Sequence, residues 1–363
     1  MPIMLKQQSS SSLINKSPKK DKDLPTVKVT HDYVFTRWMG SWERRLSLWS
    51  NHAYSDALLG YIGKIFGQQA NIYHYFDRLW NDSLYNSNDE LDLLNILIER
   101  ISKVPGAKTS LHKRQETSRT ESRLNEIRAI FDRNFNSRFK ISSKINTEHL
   151  IRKDSIKSYF DLGCGNGLIT ARIGNYFNLS SETIFGGDVF NSHNPDITFV
   201  SIDQDQSIID LSDRSVNLIT CLVTLHHIPH IDKILRELAR IVQPNGYLII
   251  REHDCKLERS LLTKYLHFIH GIMIIARIGE FSTEYSIDKT EKLTWIEQKK
   301  KIINYTKSIQ YKTREEWQKH LENVGFTHLA TFDYDLNQTT NPQRLFYAVY
   351  QRDHQVSSNT EQT

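Results

Sequence analysis

Three glycines at alternate positions follow an acidic residue at the end of a short apolar stretch. Residues 157–168 read Lys-Ser-Tyr-Phe-Asp-Leu-Gly-Cys-Gly-Asn-Gly-Leu, so Asp161 precedes Gly163, Gly165 and Gly167. Glycines leave room for a ligand to approach the backbone, and the N-terminus of a following helix presents N–H groups that lack partners within the helix. The pattern predicts a strand, a ligand-binding loop and a helix.

The spacing of the glycines distinguishes two classes of ligand. A dinucleotide fingerprint reads G-x-G-x-x-G and places a pyrophosphate on the helix N-terminus. Here the third glycine comes one residue earlier, and Asp161 stands two residues before the first glycine. A carboxylate at that position would repel a pyrophosphate but suits an ammonium group. A tight strand–helix turn without a ligand is the alternative.

The loop resembles motif I, D-x-G-x-G-x-G, of class I S-adenosylmethionine (SAM) methyltransferases. Farther along, Leu225-His226-His227-Ile228-Pro229-His230 is similar to the L-H-H-V-x-D segment of the type 11 group. The resemblance covers residues 156–352. It implies an α/β fold with a seven-stranded Rossmann-like sheet, mostly parallel with a C-terminal antiparallel strand, plus a helical N-terminal extension. It also implies SAM as the cofactor and methyl transfer as the activity.

Short apolar segments alternate with helical patterns from Ile156 onward, which is typical of a mostly parallel sheet. We expect strands at 157–162, 183–188, 197–202, 216–224, 247–251, 326–334 and 345–351, and helices at 168–178, 231–242 and 317–324. Only about eight residues separate the second strand from the third, so the helix that usually connects them must be short or missing.

Acidic residues end several of these strands, at the edge where open α/β sheets bind ligands. The resemblance implies the following cofactor contacts: Asp161 and Gly163 at the methionine end with Cys164 and Gly165 beside them, Asp188 on the ribose hydroxyls, Asp203 and Gln204 at the adenine, and Leu225 at the sulfonium end. Two departures from the family pattern affect these assignments. Asp205 could replace Asp203, and Asn217 stands where an aspartate is usual.

Candidates for a general base cluster at the end of the fifth strand. Glu252, His253 and Asp254 would lie beside the methyl group, and a histidine next to carboxylates suits proton transfer. Structural pairing of Arg251 with Glu252 is the alternative. His226 either takes part in catalysis or has a structural or sulfonium-facing role. We predict no metal site, because the three cysteines have no paired spacing.

The chain is expected to divide into four regions, the third of which contains an insertion. These are a disordered tail at 1–28, a helical and basic region at 29–150, the SAM-dependent methyltransferase domain at 151–352 with a lid or substrate insertion at 255–310, and a disordered tail at 353–363. Within the second region we expect a linker at 103–119 and a helix at 120–140. Apolar residues in 257–281 predict a helix over the active site.

Charge and composition limit the partners without identifying them. The net charge of +5 permits nucleic acid, and residues 100–140 hold 11 Lys or Arg against 4 Asp or Glu. The methyl acceptor is unidentified, with a slight preference for a macromolecule, RNA or protein. A small-molecule methyltransferase and a binding protein with a relict domain are the alternatives. Without an apparent signal peptide or membrane span, we expect an intracellular, soluble protein.

Overall fold

The computed structural model describes most of the chain after Leu111. The described residues are 51, 54, 57, 96, 112–132, 139–141, 151–190, 192–203, 207–255, 260–276, 295–334 and 343–353. The chain divides into two units, Met1–Val104 and Pro105–Thr363, and every element below belongs to the second. The predicted tail at 1–28 and nearly all of the predicted helical region up to residue 111 lie outside the described residues, as does the C-terminal tail after Asp353.

The described strands form one sheet with eight members. They are β1 (Phe139–Ile141), β2 (Tyr159–Leu162), β3 (Ile184–Asp188), β4 (Thr198–Ser201), β5 (Val216–Leu222), β6 (Val242–His253), β7 (Phe326–Tyr334) and β8 (Leu345–Arg352). Their order is β1-β7-β8-β6-β5-β2-β3-β4. Strands β2 to β6 pair in parallel, and β8 is antiparallel to both β6 and β7. This confirms the predicted seven-stranded sheet, to which the short β1 adds an edge strand.

Six α-helices accompany the sheet in the described part of the chain. They are α1 (His112–Asp132), α2 (Leu168–Tyr176), α3 (Ile231–Ile241), α4 (Leu261–Ala276), α5 (Trp295–Ser308) and α6 (Arg314–Glu322). Helix α6 begins with a capping box, in which Thr313 and Glu316 satisfy each other's backbone N–H groups. Helix α4 confirms the helix predicted within 257–281.

Two predictions around α1 are wrong. The linker predicted at 103–119 is helical from His112, because its good helix formers are interrupted by no Gly or Pro from there on. The helix predicted at 120–140 ends at Asp132, and residues 139–141 pair with β7 instead. Pairing with a distant strand decides the conformation of these three residues, and a run that short carries no readable pattern.

The sheet is buried on both faces, because successive side chains of a strand point to opposite sides. On one face, Tyr159 of β2 packs in a core with Ile127 of α1 and Ile173 of α2. On the other face, Phe160 packs in a core with Leu235 of α3 and Trp317 of α6. The helices therefore cover the faces and leave the carboxyl ends of the parallel strands as the place for a site.

The connection between β3 and β4 confirms the sequence expectation. Its described residues are loop and turn, with no helix among them. None of the helices described is both long enough and apolar enough to cross a bilayer.

Candidate functional site

The glycine loop connects β2 to α2 in a conformation that glycine adopts easily. Gly163, Gly165 and Gly167 have φ values of +78°, +56° and +74°, in the left-handed region that other residues disfavour. The N–H groups of Gly163 and Cys164 donate to the Gly187 carbonyl at 2.8 and 3.2 Å, which ties the loop to β3. The backbone of the loop is therefore held in place by the sheet.

The surroundings of the three glycines differ. A Cβ at Gly163 would lie 2.3 Å from Thr224 Oγ1, and one at Gly167 would lie 2.5 Å from Ile197 Cδ1. A Cβ at Gly165 would meet no atom of the described residues within 4 Å. The loop thus packs closely against protein at its two ends and borders open space at its centre.

Asp188 is fixed next to that open space. Its Oδ2 accepts from the Gly165 N–H at 2.8 Å and its Oδ1 accepts from the Phe190 N–H at 3.2 Å. Burial raises the pKa of the Asp188 carboxyl. The Ile202 N–H donates to the Asp188 carbonyl at 3.0 Å, which brings the exposed Asp203 to the same edge. Gln204 and Asp205 lie outside the described residues.

Asp161 is almost fully buried and contacts two threonines. Thr170 Oγ1 donates to Oδ2 at 2.6 Å and Thr220 Oγ1 donates to Oδ1 at 2.5 Å. Burial raises the pKa of Asp161 to about 6. The carboxylate therefore joins β2, β5 and α2, a role that sequence analysis missed. The available signal was Thr220, a polar residue within the apolar part of β5 that follows Asn217.

The residues around the open space fit the cofactor that the sequence suggested. The uncrowded backbone at Gly165 allows close approach of a ligand, and the fixed oxygens of Asp188 can accept from a pair of hydroxyls. SAM carries such a pair on its ribose. Cys164 is buried beneath the loop, where burial raises the pKa of its thiol well above its usual range, so its side chain is an uncharged packing group.

A one-turn helix after β5 places two histidines at the same edge. Residues Leu225–His227 form this turn, and Val223 before it has φ +64°, an uncommon conformation for a β-branched residue. Leu225 is fully buried, and its N–H donates to Glu252 Oε1 at 2.8 Å. His226 Nδ1 donates to the other oxygen, Oε2, at 2.6 Å. Glu252 therefore fixes both the backbone and a side chain of the turn.

The three neighbouring candidates on β6 have different environments. Burial raises the pKa of Glu252 to about 7. Burial, together with His226, lowers the pKa of His253 to about 3, and its Nδ1–H donates to the Gln343 carbonyl at 2.9 Å. Asp254 pairs with Arg314 at 3.3 Å and with Arg344 at 3.7 Å. His253 is thus a neutral side chain, and the Asp254 carboxylate is balanced by two guanidinium groups.

Helix α4 and the segment after α5 complete a cluster of aromatic and imidazole rings. The centroid of the buried His270 ring lies 5.5 Å from that of His226 and 5.1 Å from that of His227. Tyr311 stacks on His226 and its hydroxyl lies 2.8 Å from His270 Nδ1, while the Tyr305 hydroxyl lies 2.9 Å from His227 Nδ1. Sequence analysis gave no role to His270, one of two histidines in the mostly apolar helix α4.

The loop and the histidine turn are in contact. Thr224, which crowds Gly163, immediately precedes Leu225. The structure therefore brings together His226, Glu252, His253 and Asp254 at the ends of β5 and β6, beside the cofactor candidates Asp161, Gly163, Cys164, Gly165, Asp188 and Leu225.

Comparison with known proteins identifies a family for most of this second unit. A family model described as a methyltransferase domain matches residues 136–331. None of the curated proteins matches the chain.

Many solved structures share features of the fold. They include a SAM-dependent methyltransferase from Mesorhizobium loti (16% identity, 56% of this chain and 94% of that one, TM-score 0.36) and another from Methanosarcina mazei (17%, 56% and 94%, 0.36). A third is the Haloferax volcanii complex of the Trm112 methyltransferase activator with a proposed methyltransferase (12%, 65% and 95%, 0.38). Similarities this low carry no argument about the acceptor or a partner.

Proposed function

Because the chain belongs to the methyltransferase domain family, whose model matches more than half of its length, we propose that it transfers a methyl group from SAM to an acceptor held against the histidine turn. The observation that carries this proposal is the contact between the glycine loop and Thr224. This contact supports a cofactor side and an acceptor side that adjoin each other. A direct displacement requires such proximity, because the attacking atom and the methyl carbon must be aligned.

The residues of the cofactor side divide into contacts and supports. We assign Gly163 and Gly165 to the methionine end, Asp188 to the ribose hydroxyls and Asp203 with Gln204 to the adenine. Asp161 lies at the methionine end as well, but its oxygens already accept from Thr170 and Thr220. Its main contribution is to hold the loop. When bound, SAM supplies an activated methyl group on a sulfonium.

On the acceptor side, we assign His226 as the residue that contacts the nucleophilic atom of the acceptor. Glu252 positions it through the 2.6 Å hydrogen bond to Nδ1. His253 is a poor general base because its pKa is about 3. Asp254 forms ion pairs with Arg314 and Arg344, so it shapes the site by positioning those arginines. Leu225 closes the sulfonium end as a buried apolar side chain.

The acceptor class is a separate part of the proposal. The basic stretch at 100–140 supports RNA or protein, although Arg123 is paired with Glu126 at 2.8 Å and Arg128 lies 5.5 Å from the Tyr176 ring. A small acceptor is the second candidate, and the burial of His226, His253 and His270 favours it. A buried acceptor end admits a small molecule or one protruding group of a larger one.

Calorimetry and methyl labelling test the proposal. The purified chain should bind SAM and S-adenosylhomocysteine with one site, and it should transfer labelled methyl groups to RNA, protein or metabolite fractions. Absence of binding to both would contradict the methyltransferase function, and labelling of metabolites alone would exclude a macromolecular acceptor.

The pH dependence of turnover tests the role of Glu252. Turnover of the wild-type chain should fall as pH drops through about 7, because Glu252 becomes protonated there. The Glu252→Gln variant should keep SAM binding and should not show this fall. An unchanged pH profile would remove Glu252 from the mechanism.

A further inference from the structure

Three histidines from two distant parts of the chain meet beside β5 and β6. His226 and His227 lie in the turn after β5, and His270 lies in α4. One ring nitrogen from each lies within 4.8 Å of the other two. We propose that these three residues bind a divalent transition-metal ion, and that zinc is the metal they suit best.

The hydrogen bonds of the three rings select the nitrogen that would coordinate. His226 Nδ1 faces a carboxylate oxygen of Glu252 at 2.6 Å. His270 Nδ1 faces the Leu266 carbonyl at 2.9 Å and the Tyr311 hydroxyl at 2.8 Å. The carboxylate and carbonyl oxygens accept and a hydroxyl oxygen can do so as well, so Nδ1 carries the proton and the lone pair of the neutral ring lies on Nε2. His227 Nδ1 is engaged by the Tyr305 hydroxyl at 2.9 Å. The coordinating atom assigned to each histidine is therefore Nε2.

This arrangement is the one that metal-binding histidines usually have. A ligating histidine commonly donates its other N–H to a carboxylate, a backbone carbonyl or a similar acceptor, which fixes the tautomer and the orientation of the ring. Here Glu252, the Leu266 carbonyl and the Tyr305 hydroxyl occupy these places. Glu252 also adds negative charge behind one ligand, which favours a bound cation.

The spacing and the donor type point to zinc. Imidazole nitrogen suits Zn²⁺ and its transition-metal neighbours, whereas Mg²⁺ and Ca²⁺ prefer oxygen. Tetrahedral zinc with bonds of about 2.1 Å places its ligand nitrogens about 3.4 Å apart. The candidate ligand atoms lie within 4.8 Å of one another, so each separation has to shorten by at most about 1.4 Å to reach this spacing. Small side-chain rotations can supply such a movement.

A site with three protein ligands leaves a fourth position for water or a substrate group. This consequence rests on the proposed function: the acceptor would carry a hydroxyl or thiol that binds at the fourth position, because a cation there stabilises the deprotonated oxygen or sulfur. His226 would then act on the acceptor through the metal. Binding of the metal itself does not depend on SAM, so the two proposals can fail separately.

Metal titration of the full-length chain, first stripped with a chelator, tests the site. Zn²⁺ in calorimetry and Co²⁺ in visible absorption should each show one equivalent per chain, and the Co²⁺ spectrum should have the intense bands of tetrahedral coordination. His227→Ala and His270→Ala should abolish this binding. Tyr305→Phe should weaken it about 10-fold, because it removes only the group that orients His227.

His320→Ala is the matched control. His320 lies at the surface of α6, where it pairs with Asp232 at 2.9 Å, and its removal should leave metal binding unchanged. Circular dichroism and SAM binding without metal verify that each variant is folded. Failure of the wild-type chain to bind either metal, or equal binding by the His270→Ala and His320→Ala variants, would overturn the proposal.

Discussion

Gly165 differs from the other two glycines of the loop because no atom of the described residues lies within 4 Å of the place where its Cβ would be. This makes it the residue at which a cofactor contact can be separated from folding. Gly167 has the same sign of φ but is crowded by Ile197.

Gly165→Ala is predicted to lower SAM affinity at least 10-fold with a loss of stability of only about 1 kcal/mol, the cost of the left-handed conformation for a residue with a Cβ. Gly167→Ala should lose more stability, because its Cβ also displaces Ile197. Calorimetry and denaturant unfolding measure the two effects. Wild-type SAM affinity in the Gly165→Ala variant would place the cofactor away from this loop.

Asp161 shows how one buried acid can link the site to the pH dependence of stability. Its pKa is about 6 in the folded protein and 3.8 as a free side chain. A raised folded-state pKa gives a contribution to stability that is complete below about pH 4 and is lost as pH rises through 6. The difference in pKa corresponds to about 3 kcal/mol.

Asp161→Asn is therefore predicted to gain stability relative to wild type as pH rises from 4 to 8, since asparagine does not ionise. The size of this relative change should approach 3 kcal/mol. Denaturant unfolding at a series of pH values measures it. A constant difference between the two proteins across this range would show that burial does not raise the Asp161 pKa.

At the scale of elements, α1 is attached to the sheet through a buried charge cluster. Glu126 of α1 accepts from the Tyr347 hydroxyl of β8 and from Arg123, and it lies 3.5 Å from Arg251 of β6. Arg251 directly precedes Glu252 and His253, so this contact supports the strand that carries the acceptor side.

Glu126→Ala is predicted to destabilise the protein by about 3 kcal/mol or more, because it leaves Arg251 buried without its carboxylate. Glu121→Ala, on the same helix, is the control. Glu121 forms an exposed 3.9 Å pair with Arg172, and its loss should cost about 0.5 kcal/mol or less. Thermal or chemical unfolding compares the two variants, and equal effects would refute a role for the buried cluster.

At the scale of the whole molecule, the division between Val104 and Pro105 separates two units. All the residues assigned to the cofactor and the acceptor lie in the second unit. The matched family domain, residues 136–331, also lies within it.

The chain from Pro105 to the C-terminus is therefore predicted to fold and to bind SAM with an affinity within about 3-fold of the full chain, which is under 1 kcal/mol. If residues 1–104 recognise a macromolecular acceptor, the shortened chain should lose labelling of that acceptor while it keeps SAM binding. Calorimetry and methyl labelling measure both. A shortened chain that folds but binds no SAM would show that the cofactor site needs the first unit.

The sequence by itself determined the cofactor loop and the strands of the mostly parallel sheet. Asp161, the three glycines and the acids at the ends of β3 and β4 are local patterns, and the alternation of apolar segments follows from strands buried on both faces. The two late strands were predicted within one residue of their observed bounds. Local conformation and burial depend on the types of neighbouring residues in the chain, so such features can be predicted from the sequence.

Only the tertiary structure decided which side chains meet. Thr170 of α2 and Thr220 of β5 donate hydrogen bonds to Asp161. His270 lies next to His226 and His227, although more than forty residues of chain separate them. The conformation of β1 was likewise set by its pairing with β7. A histidine or threonine within an apolar segment adds no periodic pattern to the sequence, and its role depends on partners that the packing of distant elements brings to it.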